Sequence, residues 1–272
     1  MNPDKTTYYP NIQQAIGILL IFIFLSMIFG MLGSMSFFTA NPQLKSLSLL
    51  ISYTLAAGGT VLIIIRMKKV QHPELHAFLN YTPGLKTILI TLILTLTVIV
   101  IIEPITNIIP VPESYQSLFE ELFKPTIPAF ITAVVIAPVL EEMIFRGIIL
   151  EGFLKNYSPV KSILLASLLF GLAHLNIWQF IGAFLIGVFI SWIYWKTKSL
   201  GLAIGIHITN NLVSYLAMYF SSEPMADTSI HNFIGDTPLY ITIVGVSALI
   251  LFIGIYSHKK WLSIKNVDRQ EN

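Results

Sequence analysis

The sequence predicts an all-α protein, a polytopic membrane bundle of about eight transmembrane helices. Hydrophobic residues make up 55% of the 272 residues and charged residues 11%, whereas soluble globular proteins carry about 25% charged residues. The apolar residues cluster in runs of about 17–25, the length that crosses the hydrocarbon core of a bilayer. No loop is long enough for a separate soluble domain, so we expect one integral membrane domain over residues 1–272.

The predicted spans follow one another along the whole chain. The first is too long for the apolar core of a signal peptide and lacks a small-residue cleavage site, so we expect it to be retained. Between the third and fourth spans, residues 114–124 are predicted as an amphipathic helix that lies on the membrane surface or simply connects two spans. The predicted windows are 12–35, 45–65, 86–109, 128–153, 160–176, 179–196, 199–220 and 239–257.

The distribution of lysine and arginine predicts the orientation, since short cytoplasmic loops are enriched in these residues. Eight spans place both termini on the same side. The loops on the opposite side are mostly acidic and contain only two basic residues, Lys45 and Lys124. We therefore predict a multi-pass protein of the cell membrane with both termini cytoplasmic. The basic residues assigned to the cytoplasmic side are Lys5, Arg66, Lys68, Lys69, Lys86, Lys155, Lys161, Lys196, Lys198, Lys259, Lys260, Lys265 and Arg269.

Composition also excludes some kinds of chemistry. The chain contains no cysteine, which rules out disulfides, a thiol nucleophile and thiolate metal ligands. The formal net charge of +2 says little about partners. We expect no nucleic-acid partner. The expected partners are the lipid bilayer and a membrane-associated peptide or lipidated protein.

Two adjacent glutamates and an arginine lie inside the fourth predicted span. Each ionisable group near the centre of a bilayer costs about 2.5–3.5 kcal/mol on insertion scales. Glu142 and Arg146 are four residues apart and are predicted to form a structural ion pair on one helix face. Glu141 points about 100° away around the helix and has no charged neighbour on its own face. Its desolvated carboxyl is suited to proton transfer, although it could instead stay protonated for helix packing.

Pro138 lies one turn before Glu141. A proline inside a membrane helix frees a carbonyl group and tends to kink the helix. Ala137 beside it is small, so the two residues together could open space next to Glu141. A plain kink with no role in the site is the alternative.

Two later spans carry polar residues at a matching depth. Phe170 and His174 share one face of the fifth span, and His207 and Asn211 share one face of the seventh. At about 1.5 Å per residue, Glu141 and His174 lie on the order of 20 Å from the cytoplasmic ends of their spans, and the seventh-span pair roughly 12–18 Å. We therefore expect these groups to meet in one layer, where a histidine and a carboxamide can stabilise an oxyanion. Purely structural interhelical hydrogen bonding is the alternative.

Three short motifs, in this order on membrane spans, resemble those of the CPBP family of intramembrane proteases. This family is also called the Abi or CAAX-protease family, and it includes type II CAAX prenyl endopeptidases and bacteriocin-processing proteins. The resemblance covers about 128–220, which would form the catalytic core. The motifs are Glu141-Glu142-x-x-x-Arg146, Phe170-x-x-x-His174 and His207-x-x-x-Asn211.

The resemblance implies an intramembrane endopeptidase that hydrolyses a peptide bond of a membrane-associated or prenylated, CAAX-type substrate. It implies that Glu141 activates water with assistance from His174. His207 and Asn211 would stabilise the tetrahedral oxyanion, and Glu142 and Arg146 would support the site. If a metal is used, zinc could be held by Glu141, His174 and His207 with one position open for water; a Glu–His pair with an oxyanion hole would need no metal.

Two other classes of function stay open. A non-catalytic bacteriocin-immunity or membrane scaffold protein could have kept the fold, although it would have no reason to bury an unneutralised acid. A proton-coupled transporter could use the same buried glutamate and histidines as a relay. The absence of inverted, broken half-repeats argues against the transporter.

Overall fold

The computed structural model describes residues 8–39, 41–68, 83–109, 111–112, 116, 126–220 and 229–257. Within these ranges eight apolar helices follow one another without any strand, which confirms the predicted all-α polytopic bundle. Seven are long and apolar enough to cross a membrane, and the fifth, with 14 residues, is shorter. The eight helices are α1 (Ile12–Gly30), α2 (Pro42–Lys68), α3 (Leu85–Thr106), α4 (Ile127–Asn156), α5 (Pro159–Leu172), α6 (Ile177–Thr197), α7 (Leu200–Phe220) and α8 (Thr237–Ser257).

Some predicted features fall outside the described residues. They are the amphipathic helix over 114–124, apart from Gln116, and the basic residues Lys5, Lys69, Lys124, Lys259, Lys260, Lys265 and Arg269. The described helices make this a multi-pass membrane protein. The choice of the cell membrane and the cytoplasmic position of the termini stay predictions.

Contacts between helix ends show that successive helices run in alternating directions. Before α1, the backbone N–H of Tyr8 donates to Oδ1 of Asn156 at the end of α4 (2.9 Å). At the opposite face of the bundle, the hydroxyl of Thr126, just before α4, donates to Ser46 in the first turns of α2 (2.7 Å). We refer to these two ends as the Tyr8 face and the Thr126 face. The described lysines and Arg66, which lie at or next to helix ends, are at the Tyr8 face, apart from Lys45.

The segment before α1 packs tightly against the end of α4. Nδ2 of Asn156 donates to the carbonyl of Tyr8 (2.6 Å) and to that of Gly152 (2.8 Å). A Cβ atom on Gly152 would lie 2.2 Å from Cδ of Pro10 and 2.4 Å from its nitrogen. Only a glycine therefore allows the segment to lie in this position.

Replacing Gly152 by alanine is expected to destabilise the protein by about 1–3 kcal/mol, because the added methyl overlaps backbone atoms of Pro10 that cannot rotate away. Thermal unfolding in detergent would measure the loss. Gly58→Ala is the matched control, since a Cβ at that helical position meets nothing within 4 Å. Equal unfolding temperatures for the two variants would contradict the close packing described above.

The centre of the bundle is α4, and its helical geometry is irregular. Two π-helical stretches, Ile131–Ile136 and Met143–Leu150, flank the α-helical residues Ala137–Glu142. The sequence pattern predicted an ordinary helix with a proline kink, so these stretches were not foreseen. π-Helical turns are rare and occur frequently at functional sites. Here they surround the two adjacent glutamates.

Candidate active site

A buried charged cluster joins α4 to α7. Oε1 of Glu142 accepts hydrogen bonds from Nη1 of Arg146 (2.8 Å) and from Nδ1 of His207 (2.8 Å). The side chains of Glu142 and Arg146 are fully buried, and that of His207 is 5% exposed. An unpaired charge at this depth would be costly. The arginine and the histidine together compensate the carboxylate.

Arg146 is also held from the opposite side, by α6 and α5. Its Nη2 donates to the carbonyl of Gly187 (3.1 Å), and its guanidinium carbon lies 4.6 Å from the ring centroid of Phe170. The second contact is a cation–π interaction. A Cβ on Gly187 would lie 3.3 Å from Nη2 of Arg146 and 3.1 Å from Cδ1 of Phe170. Gly187 gives no signal in the sequence, because its importance depends on α6 lying against α4.

Glu141 faces a different set of groups. Its Oε1 accepts a hydrogen bond from the hydroxyl of Tyr53 on α2. Its Oε2 lies 3.8 Å from Nε2 of His207, which is too long for a direct hydrogen bond. The side chain is 12% exposed. Glu141 and Glu142 therefore approach opposite nitrogens of one imidazole, and Tyr53 is a further member of the site that sequence reasoning missed.

The hydrogen bond to Glu142 shows that Nδ1 of His207 carries a hydrogen. A carboxylate oxygen can only accept, so Nδ1 of His207 donates. Such a carboxylate–histidine contact also fixes the orientation of the ring. Nε2 consequently points towards Glu141. In the neutral ring Nε2 is an acceptor, and in the imidazolium it is a donor.

His174 lies beside this cluster without bonding to it directly. α5 ends at Leu172, and Nδ1 of His174 donates to the carbonyl of Phe170 (3.0 Å). The Phe170 ring contacts His174 and His207 edge-on, with centroid distances of 5.2 and 5.5 Å. Among the described residues, no hydrogen bond or ion pair joins His174 to Glu141. The imidazole near Glu141 is that of His207.

Asn211 binds the carbonyl group that a proline leaves free. The N–H of Ala137 donates to the carbonyl five residues back, as is typical of a π-helix. The next residue is Pro138, which has no N–H, so the carbonyl of Ala133 lacks the corresponding donor. Nδ2 of Asn211 donates to this carbonyl at 2.8 Å. The proline thus creates the acceptor to which α7 binds.

Asn210 orients the same carboxamide. Its Nδ2 donates to Oδ1 of Asn211 (3.1 Å). The Asn211 amide has two N–H groups, and one of them donates to the carbonyl of Ala133, so the second N–H can bind another acceptor. From the sequence, Asn210 is predicted only to form structural interhelical hydrogen bonds. The contact became evident only when neighbouring side chains on α7 were placed.

Replacing Pro138 by alanine is expected to lower the cleavage rate about 10- to 100-fold, the order of loss that small misplacements of active-site groups produce. The new N–H would donate to the carbonyl of Ala133 and compete with Asn211 for it. Helix stability should not fall, because alanine is the better helix former. The rate of peptide release in liposomes and thermal unfolding would measure both effects.

The matched control for this substitution is Pro104→Ala, at a proline in the interior of another membrane helix. Pro104 lies in α3 near the Thr126 face, so the control should leave the cleavage rate unchanged. Wild-type activity in Pro138→Ala would show that the contact between Asn211 and Ala133 has no role in the reaction.

The side chains do not form a ready metal site. In the part of the chain that the structure describes, no group of three or more His, Asp or Glu side chains is placed to hold a metal ion. One nitrogen of His174 already binds the carbonyl of Phe170, and Glu141 Oε1 binds Tyr53. The set of Glu141, His174 and His207 considered for zinc does not fit a metal in this arrangement, and we derive no step through one.

A comparison with known protein families found a match over the helices that carry the cluster. A family model described as "Type II CAAX prenyl endopeptidase Rce1-like" matches residues 123–213. Over these residues the chain is similar to the Rce1-like family. The match confirms the resemblance seen in the three motifs, since it runs from just before α4 into α7 and includes all of their residues. No curated protein and no solved structure matches the chain.

The Rce1-like segment contains most of the cluster but not all of it. Glu141, Glu142, Arg146 and His207 lie within the matched residues, whereas Tyr53 belongs to α2 and lies well before them. The first three helices and the last lie outside the segment.

Proposed function

We propose that the protein is an intramembrane endopeptidase that hydrolyses a peptide bond of a membrane-associated or prenylated, CAAX-type protein. The observation that carries this proposal is the position of Glu141 inside an Rce1-like segment, with Oε2 3.8 Å from Nε2 of the buried His207. A separation of this size is one that a water molecule or a substrate oxygen can bridge. In this proposal the two groups act on the same reacting atoms.

In the proposed reaction Glu141 is the general base. Its Oε2 takes a proton from water while the water oxygen attacks the carbonyl carbon of the scissile bond, giving a tetrahedral intermediate. When the intermediate collapses, the C–N bond breaks and the same carboxyl returns its proton to the leaving nitrogen. The products are a carboxylic acid and an amine, so one water is consumed.

The negative oxygen of the intermediate needs hydrogen-bond donors. We propose His207 and Asn211 for this task. Nδ1 of His207 already donates to Glu142. For Nε2 to donate to the oxyanion as well, the ring must be an imidazolium. In this proposal the carboxylate of Glu142 balances its positive charge. The remaining N–H of the Asn211 amide would be the second donor. Arg146 supports the arrangement by holding Glu142.

His174 is proposed as an assisting group. Its ring is in contact with Phe170, which also contacts His207, so it lies at the border of the cluster. With Nδ1 donating to the carbonyl of Phe170, its Nε2 is the nitrogen left to act. We propose that it acts through a water molecule or on the substrate, because it forms no direct bond to Glu141.

The wider arrangement follows from these assignments. We propose that residues 1–272 form one membrane domain with its catalytic core at about 128–220, located in the cell membrane with cytoplasmic termini. The substrate would approach the centre of the bundle from the bilayer or from the cytoplasmic side. A membrane-anchored peptide could use either route.

Mass spectrometry of peptides released in liposomes would test the proposal. Purified protein would be mixed with membrane-anchored peptides, of which some carry a farnesyl group on a C-terminal Cys-a-a-X sequence and others a non-prenyl anchor. A specific cut that is absent in Glu141→Ala would support the endopeptidase and identify the bond. No cut by folded wild-type protein in either peptide set would favour the immunity or scaffold function, and ion-dependent flux would favour the transporter.

A further inference from the structure

Tyr53 contacts the proposed catalytic carboxylate from outside the Rce1-like segment. Its hydroxyl donates to Oε1 of Glu141 across 88 positions of sequence. We propose that Tyr53 is a positioning residue that fixes the Glu141 carboxylate for catalysis, an inference that rests on the function proposed above. It would extend the active site to α2, which neither the motifs nor the family match include.

The need for such a residue follows from how little else holds Glu141. Arg146 pairs with Glu142, and His207 Nε2 is too far from Glu141 for a direct bond. Among the described residues, the Tyr53 hydroxyl is the one group that donates a hydrogen bond to this carboxylate. The terminal torsion of a glutamate is soft, so an unanchored carboxylate rotates and exchanges its two oxygens.

The bond to Tyr53 makes the two oxygens of Glu141 different. Oε1 is engaged by the hydroxyl, while Oε2 faces Nε2 of His207 at 3.8 Å. The oxygen that is proposed to take the proton from water is thereby directed towards the proposed oxyanion donor. Preorganisation of this kind lowers the cost of reaching the reactive geometry.

The position of Tyr53 is itself set by packing within α1 and α2. Its ring lies edge-on to Phe22 of α1, with centroids 6.3 Å apart. The neighbouring Ser52 donates from its hydroxyl to the carbonyl of Phe29 (2.7 Å). Near the Thr126 face, Ser46 of α2 accepts the hydroxyl hydrogen bond of Thr126 (2.7 Å). The α1–α2 pair therefore holds the Tyr53 ring in a defined place against α4.

A purely structural role for Tyr53 predicts a different phenotype. If the hydroxyl only ties α2 to α4, its loss should lower the unfolding temperature and leave the turnover of folded protein unchanged. If it positions Glu141, its loss should lower kcat and leave the unfolding temperature and KM nearly unchanged. Substrate binding does not require the carboxylate to present one particular oxygen, whereas proton transfer does.

The test compares Tyr53→Phe with wild type, using a farnesylated peptide with a C-terminal Cys-a-a-X sequence in liposomes and, beside it, a membrane peptide with a non-prenyl anchor. Phenylalanine keeps the ring contact with Phe22 and removes only the hydroxyl. We expect kcat to fall about 10- to 100-fold on whichever peptide the wild type cleaves. KM and the unfolding temperature in detergent should stay close to those of the wild type.

Tyr240→Phe is the matched control, because it also removes a tyrosine–glutamate hydrogen bond from a membrane helix. The Tyr240 hydroxyl donates to Oε2 of Glu103 (2.5 Å), near the Thr126 face and away from the cluster. This variant should keep the wild-type kcat even if its unfolding temperature falls. The pair separates loss of a hydrogen bond in general from loss of the bond to Glu141.

The outcomes separate the inference from the function on which it rests. If wild type cleaves, Glu141→Gln does not, and Tyr53→Phe keeps the wild-type kcat, the positioning role is overturned while the proposed function stands. A lower unfolding temperature with unchanged kcat, as in the control, would also overturn it. If wild type cleaves neither peptide, the proposed function and the role of Tyr53 are both overturned.

Discussion

Replacing Glu141 by glutamine is expected to lower the cleavage rate by a factor of about 10² to 10⁴, the usual contribution of a general base. Glutamine has nearly the same shape, and its amide oxygen can still accept the hydrogen bond from Tyr53. It cannot take a proton from water. The fold should therefore be preserved while the chemical step fails, and release of peptides from liposomes would measure the loss.

The third glutamate on α4 provides the control for this substitution. Glu151 lies at the Tyr8 face, where its Oε1 pairs with Nζ of Lys198 (2.6 Å). Glu151→Gln should cleave at the wild-type rate. If Glu141→Gln also cleaved at that rate, Glu141 would not be the base, and the next candidate would be Nε2 of His207, whose ring Glu142 orients.

Replacing Arg146 by methionine is expected to cost about 3–5 kcal/mol of folding free energy, because it leaves the buried carboxylate of Glu142 without its cation. Both side chains are fully buried, so water cannot take the place of the guanidinium. The substitution also removes the contacts with Gly187 and Phe170. Unfolding measured in detergent, by heat or by denaturant, would give the loss.

The more exposed ion pair between Lys198 and Glu151 serves as the comparison. The Lys198 side chain is 43% exposed, so Lys198→Met should cost only about 0–1 kcal/mol. Both variants replace a cation by methionine next to one glutamate, and they differ chiefly in burial. Similar losses in the two variants would show that burial of the Glu142–Arg146 pair does not control stability.

Several parts of the site depend on the irregular geometry of α4. The π-helical stretches Ile131–Ile136 and Met143–Leu150 come directly before and after Ala137–Glu142. Just after the first stretch, Pro138 lacks an N–H, which leaves the carbonyl of Ala133 within that stretch to Asn211. The same backbone irregularity therefore accompanies the approach of α7, whose His207 lies between the two glutamates. This connection makes Pro138 more than a simple kink.

The sequence by itself was sufficient for the class of the protein and for its most local contacts. Long apolar runs predicted eight spans, and seven of the described helices have the length of about 20 residues that a bilayer crossing requires, whereas α5 is shorter. The spacing of four residues predicted the contact between Glu142 and Arg146, which the structure shows at 2.8 Å. The order of three motifs indicated the family, which the match over 123–213 confirms. The first two predictions follow from apolar length and spacing along the chain, whereas the family follows from the resemblance of the motifs to those of known proteins.

Only the tertiary structure decided which groups from different helices meet. Apolar helix patterns show that a helix faces lipid or protein, but they do not show which neighbour it contacts. The depth argument predicted one polar layer, yet it could not show that His207 lies near Glu141 while His174 bonds to the carbonyl of Phe170. Tyr53 lies on a helix whose sequence reads as a generic span. Its contact with Glu141 exists because packing of α2 against α4 brings together residues 88 positions apart.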